Sequence, residues 1–181
     1  AMELSHFGAK VIYTPTLTPA YKENIPIRVK NTFNPDQSGT LISRDIKCQQ
    51  SELIKGISSI NEITLITVKG ASMVGKTGTS AMIFSSLARY DVNVILISQA
   101  SSEHSICFAV ESHFANKAKS AIEKEFQYEI RNEEIDEVQS ENDLCIVAVV
   151  GDGMKHSPGT SGRMFSELGK NGVNEMAIAQ G

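Results

Sequence analysis

The pattern of apolar and polar positions predicts the same succession of elements twice along the chain. A β-branched run at 63–68 is followed by a glycine-rich loop, an amphipathic stretch and a second apolar run at 92–97. The same succession recurs with apolar runs at 145–150 and 173–179. Because short β-branched runs indicate strands and a 3.6-residue period indicates a helix, each copy is predicted to form β-loop-α-β.

The two copies are related by sequence as well as by pattern. A shift of 81 positions aligns residues 68–99 with residues 149–180 without a gap, and 13 of the 32 aligned pairs are identical. The identical pairs include Met73/Met154, Gly78/Gly159 and Gln99/Gln180. The period is longer than that of solenoid repeats, so the repeat indicates a duplicated module.

The helix predicted after the first glycine-rich loop has an apolar stripe and a polar start. Phe84, Leu87 and Ala88 fall at i, i+3 and i+4, which places them on one helix face. Thr79 and Ser80 follow Gly78 and are candidates for a hydroxyl N-cap.

The first copy continues with further elements. A third strand is predicted at 105–110, a second helix at 114–130 and a fourth short strand at 134–138, which makes the copy βαββαβ. The residues predicted on the buried side of the second helix are Phe114, Ala118, Ala121, Ile122 and Phe126.

Composition narrows the class of protein. The chain has 181 residues, 41% of them hydrophobic and 21% charged, with a net charge of −4, as expected for a globular protein. A mildly acidic chain without a basic run is not expected to bind nucleic acid. No apolar stretch is long enough to span a bilayer, so no membrane contact and a cytoplasmic location are expected. Three cysteines and four histidines lack metal-ligand spacing, so no metal site is expected.

Residues 70–77, GASMVGKT, match the phosphate-loop pattern G-x-x-x-x-G-K-[ST] between a predicted strand and a predicted helix. A nucleotide-binding enzyme in which Lys76 contacts phosphate is therefore an alternative. The second copy has His156, Ser157 and Pro158 in place of Gly75, Lys76 and Thr77, so the shared architecture does not depend on these residues.

A glycine-rich turn before a helix N-terminus suits any small anion, including the carboxylate of an amino acid. Gln99 ends the neighbouring strand and offers both a donor and an acceptor, and Asn93 adds another polar group. The recurrence of the loop, the hydroxyls and the glutamine in both copies favours a binding face.

These residues resemble the tandem ACT regulatory region of aspartate kinases. Residues 8–20, 25–35 and 39–42 resemble the end of the kinase domain, although 13–15 read Tyr-Thr-Pro where the family usually has His-Pro-Arg. Residues 95–108, ILISQASSEHSICF, and the end of the chain are most similar to the threonine-sensitive bifunctional aspartate kinase-homoserine dehydrogenases.

The resemblance implies a fold and a domain organisation. The fold is α+β, with tandem ferredoxin-like βαββαβ ACT modules whose antiparallel sheets carry helices on one face. Residues 1–43 correspond to the tail of the amino-acid kinase domain, 44–140 to the first ACT module and 141–181 to a truncated second one. In an alternative assignment, residues 44–62 complete the sheet of the second module.

The resemblance also implies a function. The parent protein is expected to transfer phosphate from ATP to L-aspartate, with ATP and magnesium bound in its kinase domain and with or without a homoserine dehydrogenase domain. This chain is expected to be non-catalytic, to hold no cofactor, to bind threonine rather than lysine and to pair as a homodimer; a purely oligomerising module is the remaining alternative. The implied effector-binding residues are Met73, Gly78, Thr79, Ser80, Asn93, Val94 and Gln99, with Asn174 and Gln180 in the second module.

Overall fold

The computed structural model describes residues 4–5, 12–44, 53–73, 75–99, 104–151, 154 and 157–180. The chain divides into two compact units. One unit comprises Ala1–Ile60 and Ile146–Glu167, and the other comprises Asn61–Cys145 and Leu168–Gly181. No helix in the described ranges has both the length and the apolar character required to cross a bilayer.

The second unit contains most of a four-stranded sheet; the start of the first strand of this sheet and the end of its last strand belong to the first unit. The strands of the sheet are β3 (Gly56–Lys69), β4 (Leu96–Gln99), β5 (Ser105–Glu111) and β6 (Gln139–Val150), in the spatial order β4-β5-β3-β6. β5 pairs antiparallel with both β3 and β4. Together with the helices between them, the strands follow the predicted βαββαβ order, although the fourth strand lies at other residues than predicted. The spatial order of the strands is that of the ferredoxin-like fold.

The helices of this unit are α2 (Thr79–Arg89), α3 (Ala115–Glu125) and α4 (Gln127–Arg131). Residues of α2 and α3 and of strands β3 and β5 contribute to one buried core. Phe84 of α2 contacts Phe108 of β5 edge to face, with ring centroids 6.2 Å apart. The buried core cluster contains Ile66, Val68, Met73, Ile83, Leu87, Val92, Ile106, Phe108, Val110, Ala118, Ile122, Phe126, Ile135 and Val138.

The predicted buried face of the second helix is confirmed, because Ala118, Ala121, Ile122 and Phe126 are buried and Phe114 packs against the core. The predicted stripe of α2 is partly wrong. Its buried face is centred on Ile83 and Leu87; Phe84 is half-buried and Ala88 is exposed. The face differs from the prediction because Ile83 and Leu87 are the residues of the helix that pack into the core cluster.

Two predicted strands are wrong. Residues 134–138 form no strand, and the ladder begins at Gln139 and runs to Val150 as one long strand, β6. Ile135 and Val138 are nevertheless buried, and both belong to the core cluster. Residues 173–179 are also outside any strand. The hydroxyl of Ser98 in β4 donates to the carbonyl of Ile178 in this segment at 3.3 Å.

The first unit contains α1 (Thr14–Lys22) and a small antiparallel hairpin of β1 (Ile27–Val29) and β2 (Thr40–Ile42). Helix α5 (Thr160–Lys170) begins in this unit. α1 has a proline in its first turn, where no intrahelical N–H is needed.

Within the first unit, the segment before β3 lies against the end of β6. The N–H of Lys55 donates to the carbonyl of Val150 at 2.7 Å, and a Cβ on Gly151 would lie 2.0 Å from the carbonyl oxygen of Leu53. If residues 44–62 complete the sheet of the second module, contacts of this kind are expected. The domain boundaries 1–43, 44–140 and 141–181 themselves stay predictions.

Candidate functional site

A cavity of about 480 Å³ opens where the glycine-rich loop meets the first turn of α2 and the end of β4. Its volume falls in the range of pockets that hold small molecules. All of the lining residues belong to the second unit: Met73, Gly75, Lys76, Thr77, Gly78, Thr79, Ser80, Ala81, Gln99 and Ile106.

The pairing of β4 with β5 positions one wall of the cavity. Gln99 lies opposite Ile106 in the ladder, and Ile106 in turn lies opposite Val68 of β3. Ile106 and Met73 are both buried and form apolar parts of the lining, whereas Gln99 is exposed. The cavity therefore combines a hydrophobic base with an amide at its edge.

The N-terminus of α2 forms the opposite wall. The N–H of Met82 donates to the carbonyl of Gly78, so the N–H groups of Thr79, Ser80 and Ala81 precede the first intrahelical bond. These donors and the positive end of the helix dipole favour an anion at this place.

The predicted hydroxyl N-cap is wrong. Gly78 is the N-cap, with φ of 92°, and no side chain caps the helix. The hydroxyl of Thr79 instead donates to the carbonyl of Lys76 at 3.3 Å and so fastens the preceding loop. A left-handed N-cap is easily adopted by glycine, which has no Cβ.

Lys76 provides the one charged side chain among the lining residues that the structure describes. Its ammonium lies 3.5 Å from a carboxylate oxygen of Glu129 and 3.6 Å from one of Glu134. Helix α2 begins at Thr79, after Lys76 and Thr77, and β3 pairs antiparallel with β5. A phosphate loop instead leads directly into its helix with the lysine turned towards phosphate, so this geometry does not support the nucleotide-binding alternative.

The structure brings together five of the nine predicted binding residues: Met73, Gly78, Thr79, Ser80 and Gln99. The other four do not line the cavity. Asn93 is exposed, and Val94 packs against the core. Asn174 and Gln180 are exposed outside any strand, and the amide of Asn174 donates to the sulfur of Met176 at 3.3 Å.

Five lining residues were missing from the predicted set: Gly75, Lys76, Thr77, Ala81 and Ile106. Gly75, Lys76 and Thr77 were recognisable as part of the loop, but the sequence pattern assigned them to phosphate chemistry. Ile106 enters the site only through its pairing with Gln99 across the β4–β5 ladder, and the register of that ladder was not predicted.

Within the described ranges, no three His, Cys, Asp or Glu side chains are arranged to hold a metal ion. The chemistry of the cavity is that of hydrogen bonds, a helix terminus and apolar contact.

A family model for the ACT domain matches residues 66–126 and 147–181. The chain belongs to the ACT domain family. The two matched ranges correspond to the two copies of the sequence repeat, and the first contains the whole lining of the cavity.

The ACT chain is similar over its whole length to much longer proteins. It is 40% identical to the bifunctional aspartokinase/homoserine dehydrogenase of Haemophilus influenzae and 37% identical to a chloroplastic bifunctional aspartokinase/homoserine dehydrogenase of Arabidopsis thaliana. It covers 22% and 20% of their lengths, so it spans about a fifth of these relatives.

Solved structures show the same likeness. The aspartate kinase of Clostridium acetobutylicum has a TM-score of 0.81 at 28% identity, with 99% of this chain and 40% of that one covered. Aspartokinase III of E. coli, solved with lysine and aspartate, has a TM-score of 0.72 at 26% identity, with 99% and 38% covered. The resemblance to the regulatory ACT region of aspartate kinases and the predicted fold class are therefore confirmed.

Proposed function

We propose that this chain is the amino-acid-sensing regulatory region of an aspartate kinase and that its effector, L-threonine, binds in the cavity beside α2. The observation that carries the proposal is the convergence on this cavity of Met73, Gly78, Thr79, Ser80 and Gln99. In the parent protein, the reaction under control is phosphate transfer from ATP to L-aspartate.

The lining supports a pose for an amino acid. The carboxylate accepts hydrogen bonds from the N–H groups of the first turn of α2, where the helix dipole also favours negative charge. The side-chain oxygen of Gln99 accepts from the ammonium. A small side chain then contacts the apolar part of the lining, formed by Met73 and Ile106.

The charge of the lining supports threonine over lysine. No acidic side chain is among the described lining residues, and their one charged group is the ammonium of Lys76. The second ammonium of a bound lysine would meet a like charge without a carboxylate in the lining. A neutral effector avoids this cost.

The effector acts by binding one arrangement of the regulatory modules more tightly than another. Its influence on the kinase is limited to this difference in affinity. We propose that paired modules of two chains are the element whose equilibrium shifts.

Isothermal titration of the 181-residue chain with L-threonine, L-lysine, L-methionine and ATP-magnesium tests the proposal. Threonine is expected to bind saturably, and Gln99→Ala is expected to weaken its binding by about tenfold or more, because a hydrogen bond to a charged group is lost. Gln37→Ala is the matched control, since Gln37 is exposed on the first unit.

Three results would contradict the proposal. Binding of ATP without any amino-acid response would favour a phosphate loop. Absence of binding by all four ligands would favour a purely oligomerising module. Equal threonine affinity of Gln99→Ala and the unsubstituted chain would place the effector elsewhere.

A further inference from the structure

Lys76 makes hydrogen bonds within the binding loop and ion pairs with residues that are far from the loop in sequence. Its N–H donates to the carbonyl of Met73 at 3.3 Å, and its carbonyl accepts from the hydroxyl of Thr79. Its ammonium lies between the carboxylates of Glu129 and Glu134. Lys76 thus stabilises the turn of the loop through its backbone and connects the loop to another segment through its side chain.

Glycines in the left-handed backbone conformation lie on both sides of Lys76. Gly75 and Gly78 have φ of 69° and 92°, and a Cβ built on either would meet no atom within 4 Å. Glycines in open space do not restrict the backbone through packing. The contacts of Lys76 and Thr79 restrict this segment.

The carboxylates, in contrast, lie on a well-anchored segment. The N–H groups of Glu134 and Ile135 both donate to the carbonyl of Glu129, and the N–H of Asp136 donates to the carbonyl of Lys69 at 2.7 Å. Ile135 is buried, and a Cβ on Gly70 would lie 2.6 Å from the carbonyl oxygen of Glu134. The ion pairs therefore connect a permissive loop to a fixed support.

The second copy shows that the turn forms without a lysine. Ser157 occupies the aligned position, its N–H donates to the carbonyl of Met154 at 3.2 Å, and its carbonyl accepts from the hydroxyl of Thr160 at 3.2 Å. The backbone contacts are the same as around Lys76. Of the two copies, only the first has an ammonium at this position, and the turn forms without it.

We propose that Lys76 is a positioning residue, whose ion pairs with Glu129 and Glu134 hold residues 75–78 in the conformation that receives the effector. The effect on affinity rests on the proposed function, because the loop lines the proposed effector cavity. A loop that is ordered before binding raises the fraction of competent molecules, and the apparent dissociation constant falls in proportion.

The expected effect is moderate and depends on salt. The side chains of Lys76 and Glu134 are 46% and 40% exposed, whereas Glu129 is 15% exposed. Pairs of this exposure are weak and screened by salt. Loss of both pairs is expected to weaken threonine binding by about threefold to tenfold at low ionic strength.

The first experiment measures hydrogen exchange of the loop without any effector. Lys76→Met keeps the length of the side chain and removes its charge, and it is expected to speed exchange in residues 75–80 by about threefold to tenfold. The double variant Glu129→Gln/Glu134→Gln is expected to do the same, and Lys76→Arg is expected to restore slow exchange. Unchanged exchange in Lys76→Met would overturn the proposal whether or not threonine binds.

The second experiment separates positioning from direct contact with the effector. Titrations with threonine are made with Lys76→Met, with the double glutamine variant and with all three substitutions combined, at low and high salt. Positioning predicts equal losses that are not additive and that shrink at high salt. If Lys76 instead contacts the effector directly, the double glutamine variant binds as well as the unsubstituted chain or better, and the proposal is overturned.

The two experiments also separate this proposal from the proposed function. If the unsubstituted chain binds no amino acid, the proposed function fails, whereas the exchange of the loop still reports on the ion pairs.

Discussion

Glu62 has a left-handed backbone conformation inside a β-strand, with φ of 58° in β3. Asp143 in β6 has the same conformation, with φ of 59°. Such residues are typical of β-bulges, which change the face on which the following side chains lie. In β3, exposed positions alternate up to Asn61, and the buried run 63–66 follows directly after Glu62. Glu62 therefore stores backbone strain at the start of the buried part of the strand.

Replacement of Glu62 by glycine is expected to raise the free energy of unfolding by about 0.5 kcal/mol. Glycine adopts the left-handed conformation without a Cβ clash, which outweighs its larger entropy in the unfolded chain. Urea unfolding measures the change. Glu62→Ala is the control, since it removes the same carboxylate but keeps the Cβ. Equal stability of the two variants would show that the carboxylate, not the backbone, causes the effect.

Helices α2 and α5 are the same element in the two copies of the sequence repeat. Ala81 and Ala88 of α2 align with Gly162 and Gly169 of α5. α2 buries Thr79, Ile83, Ser86 and Leu87, whereas α5 has no buried residue. Glycine has a low helix propensity, so α5 has both weaker intrinsic helicity and less support from packing.

Gly162→Ala is expected to stabilise α5 by about 0.5–1 kcal/mol. A Cβ at this position meets no atom within 4 Å, so only the propensity changes. Amide hydrogen exchange across α5 is expected to slow by about twofold to fivefold. Gly159→Ala is the matched control, because Gly159 has equal space but φ of 86°, and its exchange is expected to become faster. Slower exchange in both variants would contradict this explanation.

At the scale of the whole molecule, the four-stranded sheet ends in two edge strands, β4 and β6. Edge strands present unpaired backbone groups, and pairing across a two-fold axis covers them. The predicted homodimer follows from this property and from the resemblance to aspartate kinase regulatory regions.

Light scattering during size-exclusion chromatography measures the mass of the particle. A mass of twice 19.7 kDa is expected at high protein concentration, and threonine is expected to move the transition towards lower concentration, since it binds the paired form more tightly. A monomer throughout the concentration series, with and without threonine, would contradict both the dimer and the mechanism proposed for the effector.

The amino-acid sequence alone was sufficient to predict the order of the elements in the first copy and five of the residues that line the cavity. The repeat, the βαββαβ order and the buried face of α3 depend on local periodicity, which residues near each other in sequence specify. Of the five residues that line the cavity, Gly78, Thr79, Ser80 and Gln99 were also indicated by the loop, the helix start and the strand end, whereas Met73 came from the family resemblance alone.

Only the tertiary structure decided the features that depend on packing between distant segments. Ile135 and Val138 are apolar and buried, yet they lie outside any strand, and their burial comes from the core cluster that they form with residues far away in the sequence. The contact of Lys76 with Glu129 and Glu134, and the place of Ile106 opposite Gln99, depend on how helices and ladders are aligned. Local sequence specifies which element forms, whereas register and ion pairing between elements are determined by the packing of the whole module.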